Sequence, residues 1–239
     1  MRSFLAILLV LSFATVLTGC GGSNTVDSNL PVETGSNSLV VISEVEGTDA
    51  GPGLFTTQFK VTLLDSLNAP VTDATVSITR STLGATSLTW DTLTASDYTA
   101  SVSGYYPGNY TVNIQRGTDY LANGRVYAPD IHIITYPRTS IIIPINTSMT
   151  VEWTRNSEAN FVKVETRDYG PVLSTALGDT DDGSIVIPGS SKIRNNQRVQ
   201  VTRSNDVTLT KGLAGSSFIV SIRNSVFPVI QDSISISQS

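Results

Sequence analysis

The stretch FKVTLLDSLNAPVTDATVSIT, Phe59 to Thr79, decides how this chain folds. Phe59, Val61 and Leu63 fall on one side of an extended backbone, with Lys60 and Thr62 on the other. After the breaker Asn68-Ala69-Pro70, Ala74, Val76 and Ile78 alternate in the same way with Thr75, Ser77 and Thr79. A period of two places successive side chains on opposite faces, so each run predicts a strand that buries one side only.

The pattern continues outward. Tyr110, Val112 and Ile114 alternate with Thr111, Asn113 and Gln115, and shorter cases follow at Val162/Val164, Val199/Val201 and Phe218/Val220/Ile222. Breakers at Pro107-Gly108-Asn109, Asp182-Gly183 and Pro188-Gly189 separate them, and no window carries a sustained apolar pattern at helical spacing. Abundant Ser, Thr, Val and Ile favour half-buried pleated surfaces. The expectation is an all-β chain of antiparallel sandwiches. Pro107-Gly108 reads as a type II turn that delivers Tyr110 to the core with its hydroxyl on a backbone partner. Trp90 and Trp153 are each expected in a core, and Asp130 to Thr135 reads as the last strand of the first half.

Phe59 to Thr79 followed by SGYYPGNYTVNI, Ser103 to Ile114, resembles the bacterial immunoglobulin-like and carboxypeptidase-regulatory-like sandwich modules. In the second half, MTVEWTR (Met149 to Arg155), FVKVETRD (Phe161 to Asp168), GSIVIP, QRVQVTR and SSFIVSIRNSVFPVI are more loosely similar to a fibronectin type III module. The resemblance implies two tandem immunoglobulin-like β-sandwich domains, expected at 39–136 and 138–232, each near the ~100 residues usual for the fold.

Residues 1–19 have the parts of an export signal: Arg2, an apolar run from Phe4 to Leu17, then small residues. That run is shorter than the roughly 20 residues that cross a bilayer. Leu17-Thr18-Gly19-Cys20 resembles the lipobox of bacterial lipoproteins, and Cys20 is the chain's single cysteine. The resemblance implies diacylglycerol on the Cys20 thiol, cleavage before it, and acylation of the new amine; two or more acyl chains hold a membrane where one does so only marginally. By the same resemblance, Gly21 in place of an aspartate implies an outer-membrane destination if the cell has two membranes, facing the periplasm or the surface. The Ser-, Asn- and Gly-rich segment 20–38 is expected to be a flexible tether reaching about 25 Å. With Cys20 lipidated no disulfide is available, so burial and sheet hydrogen bonds must supply stability.

Loss of Arg2 with the signal leaves 14 basic against 20 acidic residues, without a block of like charge. A nucleic-acid groove and a polybasic membrane patch are both disfavoured. His132, the single histidine, sits in DIHIITY without any Gly-x-Ser-x-Gly elbow, and is expected to point to solvent or cap a sheet edge. No catalytic residue is assigned, and the chain is read as a non-enzyme without a cofactor other than the lipid on Cys20.

Asp179, Asp181 and Asp182 cluster as calcium ligands do, but Gly183 arrives one position early for an EF-hand and Ser190 stands where its glutamate belongs. Asp182-Gly183 is equally a hairpin turn signal. Zinc lacks its Cys and His ligands. Seven of the eight tyrosines lie between Tyr98 and Tyr136. Tyr105, Tyr106 and Tyr120 are candidates for a glycan- or protein-binding surface, against the plain reading that tyrosine favours strands. Three functions follow: a non-catalytic binding or spacer lipoprotein of the cell envelope, a carbohydrate-binding or adhesin-like protein using the tyrosines, or an accessory subunit of an outer-membrane assembly offering its strand edges.

Overall fold

Alternation turns into strands because each apolar row can be buried only by stacking one sheet on another. The computed structural model describes residues 35–36, 38–51, 53–81, 83–139, 141–144, 146–168, 171–188 and 197–231. Cys20, the signal 1–19 and most of the tether lie outside the described residues. Those described are strand and connection throughout, without helix.

The quoted stretch supplies β2 (Leu54–Asp65) and β3 (Thr75–Arg80). β2 pairs antiparallel with β1 (Leu39–Gly51), with Val41 opposite Leu63 and Val45 opposite Phe59, all buried. The connection is closed by Asp65, whose Oδ1 accepts from the amides of Leu67 and Ala69, while Asn68 adopts φ +60°. These bonds hold the Asp65 carboxyl below its usual range. The first sandwich is completed by β4 (Gly84–Trp90), β5 (Asp97–Ser103), β6 (Gly108–Arg116) and β7 (Asp119–Ala128). Tyr110 is buried and its hydroxyl donates to the Tyr106 carbonyl at 3.1 Å, as expected. Gly108, with φ +130°, is already the first residue of β6, so Pro107-Gly108 feeds the strand instead of closing a type II turn.

The second half contributes β8 (Ile134–Tyr136), β9 (Ile142–Pro144), β10 (Met149–Trp153), β11 (Phe161–Asp168) and β12 (Val172–Gly178). It ends with β13 (Ser184–Ile187), β14 (Gln197–Thr208), β15 (Ser217–Val226) and β16 (Val229–Gln231). Only Ile134 and Thr135 of the expected strand at 130–135 are strand, and β8 runs on to Tyr136, at a cis Tyr136-Pro137 bond. β12 and β13 belong to different sheets, so residues 179–183 cross between sheets and are not a hairpin turn.

One sheet runs through both halves in the order β12-β11-β14-β15-β1-β2-β5-β4-β3-β6-β7; β13-β10-β8 and β16-β9 form two smaller sheets. Pairing is antiparallel except for β1 with β15 and β9 with β16. The parallel pair joins the halves, with Ser43 beside Phe218 and Val45 beside Val220.

Two apolar cores result. The first holds Phe59, Leu63, Ile78 and Tyr110, together with Leu209, Phe218, Val220 and Ile222 from the far end of the chain. The second holds Met149, Val151, Trp153, Val162, Val164, Val199 and Val201. Trp153 is buried in it; Trp90 packs partly buried against the first, edge-on to Tyr98 at 5.2 Å. The β14–β15 hairpin therefore serves both cores: Val199 and Val201 at one end of β14 enter the second, and Val207 beyond them packs on the first. The folded body also starts earlier than expected. The amide of Ser36 donates to the Lys211 carbonyl, and the hydroxyls of Ser36 and Ser38 both bond the Asp119 carboxylate.

Candidate functional site

Where β14 passes from one core to the other, its inward row reads Val199, Val201, Arg203, Asn205, Val207. Strand parity thus drives a guanidinium and an amide into the interior, and a buried charge survives only if paired and hydrogen-bonded. Arg203 is fully buried. Its Nε donates to Asp181 Oδ2 at 2.7 Å, Nη1 donates to the Asp130 carbonyl at 2.8 Å, and Nη2 bonds both Asp181 and the Ser157 carbonyl. Asp181 takes two more donors, Trp153 Nε1 on Oδ1 at 2.9 Å and the Ala159 amide on Oδ2 at 3.1 Å. Asn205 donates to the Tyr127 carbonyl and accepts from the Asn160 amide, both at 2.8 Å.

His132 belongs to the same junction. It is wholly buried, which corrects the expectation of a solvent-facing or edge-capping side chain. Its Nε2–H donates to the Val201 carbonyl at 3.1 Å, and Nδ1 has no partner among the described residues. Burial first, and Arg203 second, push the imidazole down to about 4. The Asn224 side chain donates to the His132 carbonyl and fixes the connection further. Chemically this cluster is a clamp: its polar atoms face one another across the junction and present no nucleophile to solvent.

The calcium candidates do not converge. Asp181 is turned inward onto Arg203, whereas Asp179 and Asp182 are exposed and Asp182 accepts from the Thr180 hydroxyl. Among the described residues no three His, Cys, Asp or Glu side chains are placed to share a metal. The tyrosine candidates also separate. Tyr105 is buried, with its hydroxyl on the Pro129 carbonyl at 2.9 Å, so it is corrected from surface to core. Tyr106 and Tyr120 are exposed, but at opposite ends of β6: Tyr106 precedes Gly108, and Tyr120 pairs with Gln115. Seven strand residues of about 3.3 Å each put them more than about 20 Å apart, too far for one small ligand.

A groove of about 390 Å³ lies beside Tyr136, Ile143, Met149 and Glu152. Glu152 is its one carboxylate, and no histidine or cysteine lines it.

Arg203 and Asn205 were not singled out from the sequence. The signal was present, since both occupy the apolar parity of an alternating strand. Asp181 gave no such signal, because it lies in an irregular connection.

No family model matches the chain, and no curated protein does. Solved structures similar to it include titin Ig tandem domains A164-A165, at 8% identity and TM-score 0.26, covering 85% of this chain and 100% of that one. The fibronectin(III)-like modules of Clostridium thermocellum CbhA match at 12% identity and TM-score 0.25, covering 80% and 94%. The BSP domain of a biofilm associated protein matches at 15% identity and TM-score 0.24, covering 82% of this chain and 30% of that one. Likeness this partial bears on no functional point; the structure itself is an all-β molecule whose two cores are clamped by a buried arginine.

Proposed function

We propose that this chain is a lipid-anchored, non-catalytic spacer or binding module of a bacterial cell envelope. The observation that supports it most is the clamp at the junction. Two sandwiches joined by a loose linker would move independently, since interdomain motion is the default unless an interface is extensive. Here a strand of 12 residues, β14, spans both cores, and Arg203 ties its midpoint to the connections at Asp130, Ser157 and Asp181. At about 3.3 Å per residue that strand is roughly 40 Å of continuous pairing, a stiff strut suited to holding something at a set distance from a surface. The Leu17-Thr18-Gly19-Cys20 motif supplies the surface, because acyl chains on Cys20 would hold the strut to a membrane.

Intact-mass measurement on protein from the membrane fraction tests this. A mass carrying diacylglycerol and an N-acyl chain on Cys20, with release of Cys20→Ser into the soluble fraction, is the expected result. An unmodified thiol, or a Cys20→Ser variant that fractionates as before, would overturn it.

A further inference from the structure

Most cations of the folded body have a carboxylate partner. Lys60 pairs with Glu44, Arg116 with Asp73, Lys163 and Arg167 with Glu165, Arg203 with Asp181, and Arg223 with Glu46. Arg80 has none among the described residues. It closes β3, opposite Tyr110 of β6 and Gly84 of β4, and its guanidinium carbon lies 5.9 Å from the Phe59 ring centroid and 5.6 Å from that of Tyr106. Its Nε is buried without an acceptor.

The surroundings hold this arrangement in place. Phe59 is a core residue, and the Tyr110 hydroxyl fixes the Tyr106 backbone by donating to its carbonyl. Gly104 has φ +84°, and a Cβ there would meet Tyr106 Cε2 at 2.9 Å, so glycine lets the Tyr106 ring lie where it does. Aromatic faces attract the cation but offer no acceptor in the plane of its N–H groups. A guanidinium cannot shed its charge, and a buried N–H without an acceptor is destabilising. The guanidinium is therefore oriented and charged, and its Nη1–Nη2 edge, the part not buried, is unclaimed among the described residues.

The group that matches a planar fork is a carboxylate, taken in two parallel charge-assisted bonds. Tyr106 is 43% exposed, so ring surface remains beside the guanidinium for the rest of the ligand. The chain's net charge of −5 disfavours a polyanion more strongly than a ligand with a single carboxylate. We propose that Arg80 and Tyr106 form a binding site for an acidic sugar, its carboxylate on the Arg80 fork and its ring against Tyr106. This site stands apart from the clamp and does not depend on the lipid anchor.

Titration of the ¹⁵N-labelled, detergent-solubilised full-length protein with sodium glucuronate tests it, read at the arginine Nε–H resonances. The Arg80 signal, assigned by its loss in Arg80→Lys, is expected to shift with a Kd on the order of millimolar. Glucose should leave it unmoved, acetate should bind more weakly, and Tyr106→Ala should weaken glucuronate by about threefold. An unmoved Arg80 signal at about 50 mM glucuronate would overturn the site, since that exceeds the expected Kd by more than tenfold. Acetate binding as tightly as glucuronate would overturn the sugar assignment and leave a bare ion pair. Both readings are made on the unmutated protein, and Arg80→Lys serves only to assign the signal.

Discussion

Arg203 and Asp181 show how a side chain's value depends on what surrounds it. The pair is fully buried, and each member keeps the other's charge tolerable. Removing one partner strands the other, which costs about 3–5 kcal/mol, whereas replacing both with apolar residues of similar volume is often neutral. Asp181→Ala should therefore cut unfolding free energy by about that amount in urea titrations, and Asp181→Leu with Arg203→Met should lose less. Because Trp153, Ala159 and Arg203 already occupy the Asp181 carboxylate, added calcium should leave the melting temperature unchanged. His132 supplies a pH dependence. Its imidazole titrates at about 4 when folded and 6.5 when free, so below pH 6.5 the unfolded chain binds a proton that the folded chain refuses. Stability should fall as pH drops through this window, reaching a full loss of about 3 kcal/mol below pH 4. Urea midpoints at pH 7, 5.5 and 4.5 check this: the decline should be shallower in His132→Gln, which keeps a donor for the Val201 carbonyl but has no imidazole to protonate.

Among elements, β15 departs furthest from what local sequence suggests. Phe218, Val220 and Ile222 alternate as any half-buried strand would, yet they fill the core built by the chain's first half. Their partner is β1, more than 170 residues earlier, in parallel register. The first sandwich is thus incomplete without the end of the chain. A fragment of residues 35–137 would lose Leu209, Phe218, Val220 and Ile222 from its core and leave the β1 edge at Ile42–Thr48 unpaired. That fragment should show no cooperative thermal transition by circular dichroism; a sharp one would mean the first core closes without β15.

For the whole molecule, the shared hairpin couples the fate of the two cores. Unfolding either core pulls β14 and β15 out of the other and exposes the buried Arg203. Calorimetry on the intact protein should therefore give one peak, with calorimetric and van't Hoff enthalpies in agreement. Two resolved peaks would mean the clamp is weaker than its geometry implies.

Period-two alternation at Phe59–Leu63, Val76–Ile78 and Tyr110–Ile114 was enough to locate strands and to choose their buried faces, because side-chain direction along a strand is a local property. The breaker Asn68-Ala69-Pro70 likewise announced a turn. Which strands neighbour one another was not local. The pairing of β1 with β15, the turning inward of Asp181 and the burial of His132 and Tyr105 arise only when distant segments compete for the same interior. Residue types alone gave the all-β class. The tertiary structure decided that two β-rich halves share strands and a fully buried charge pair, since burial of a polar group depends on partners that no window of sequence contains.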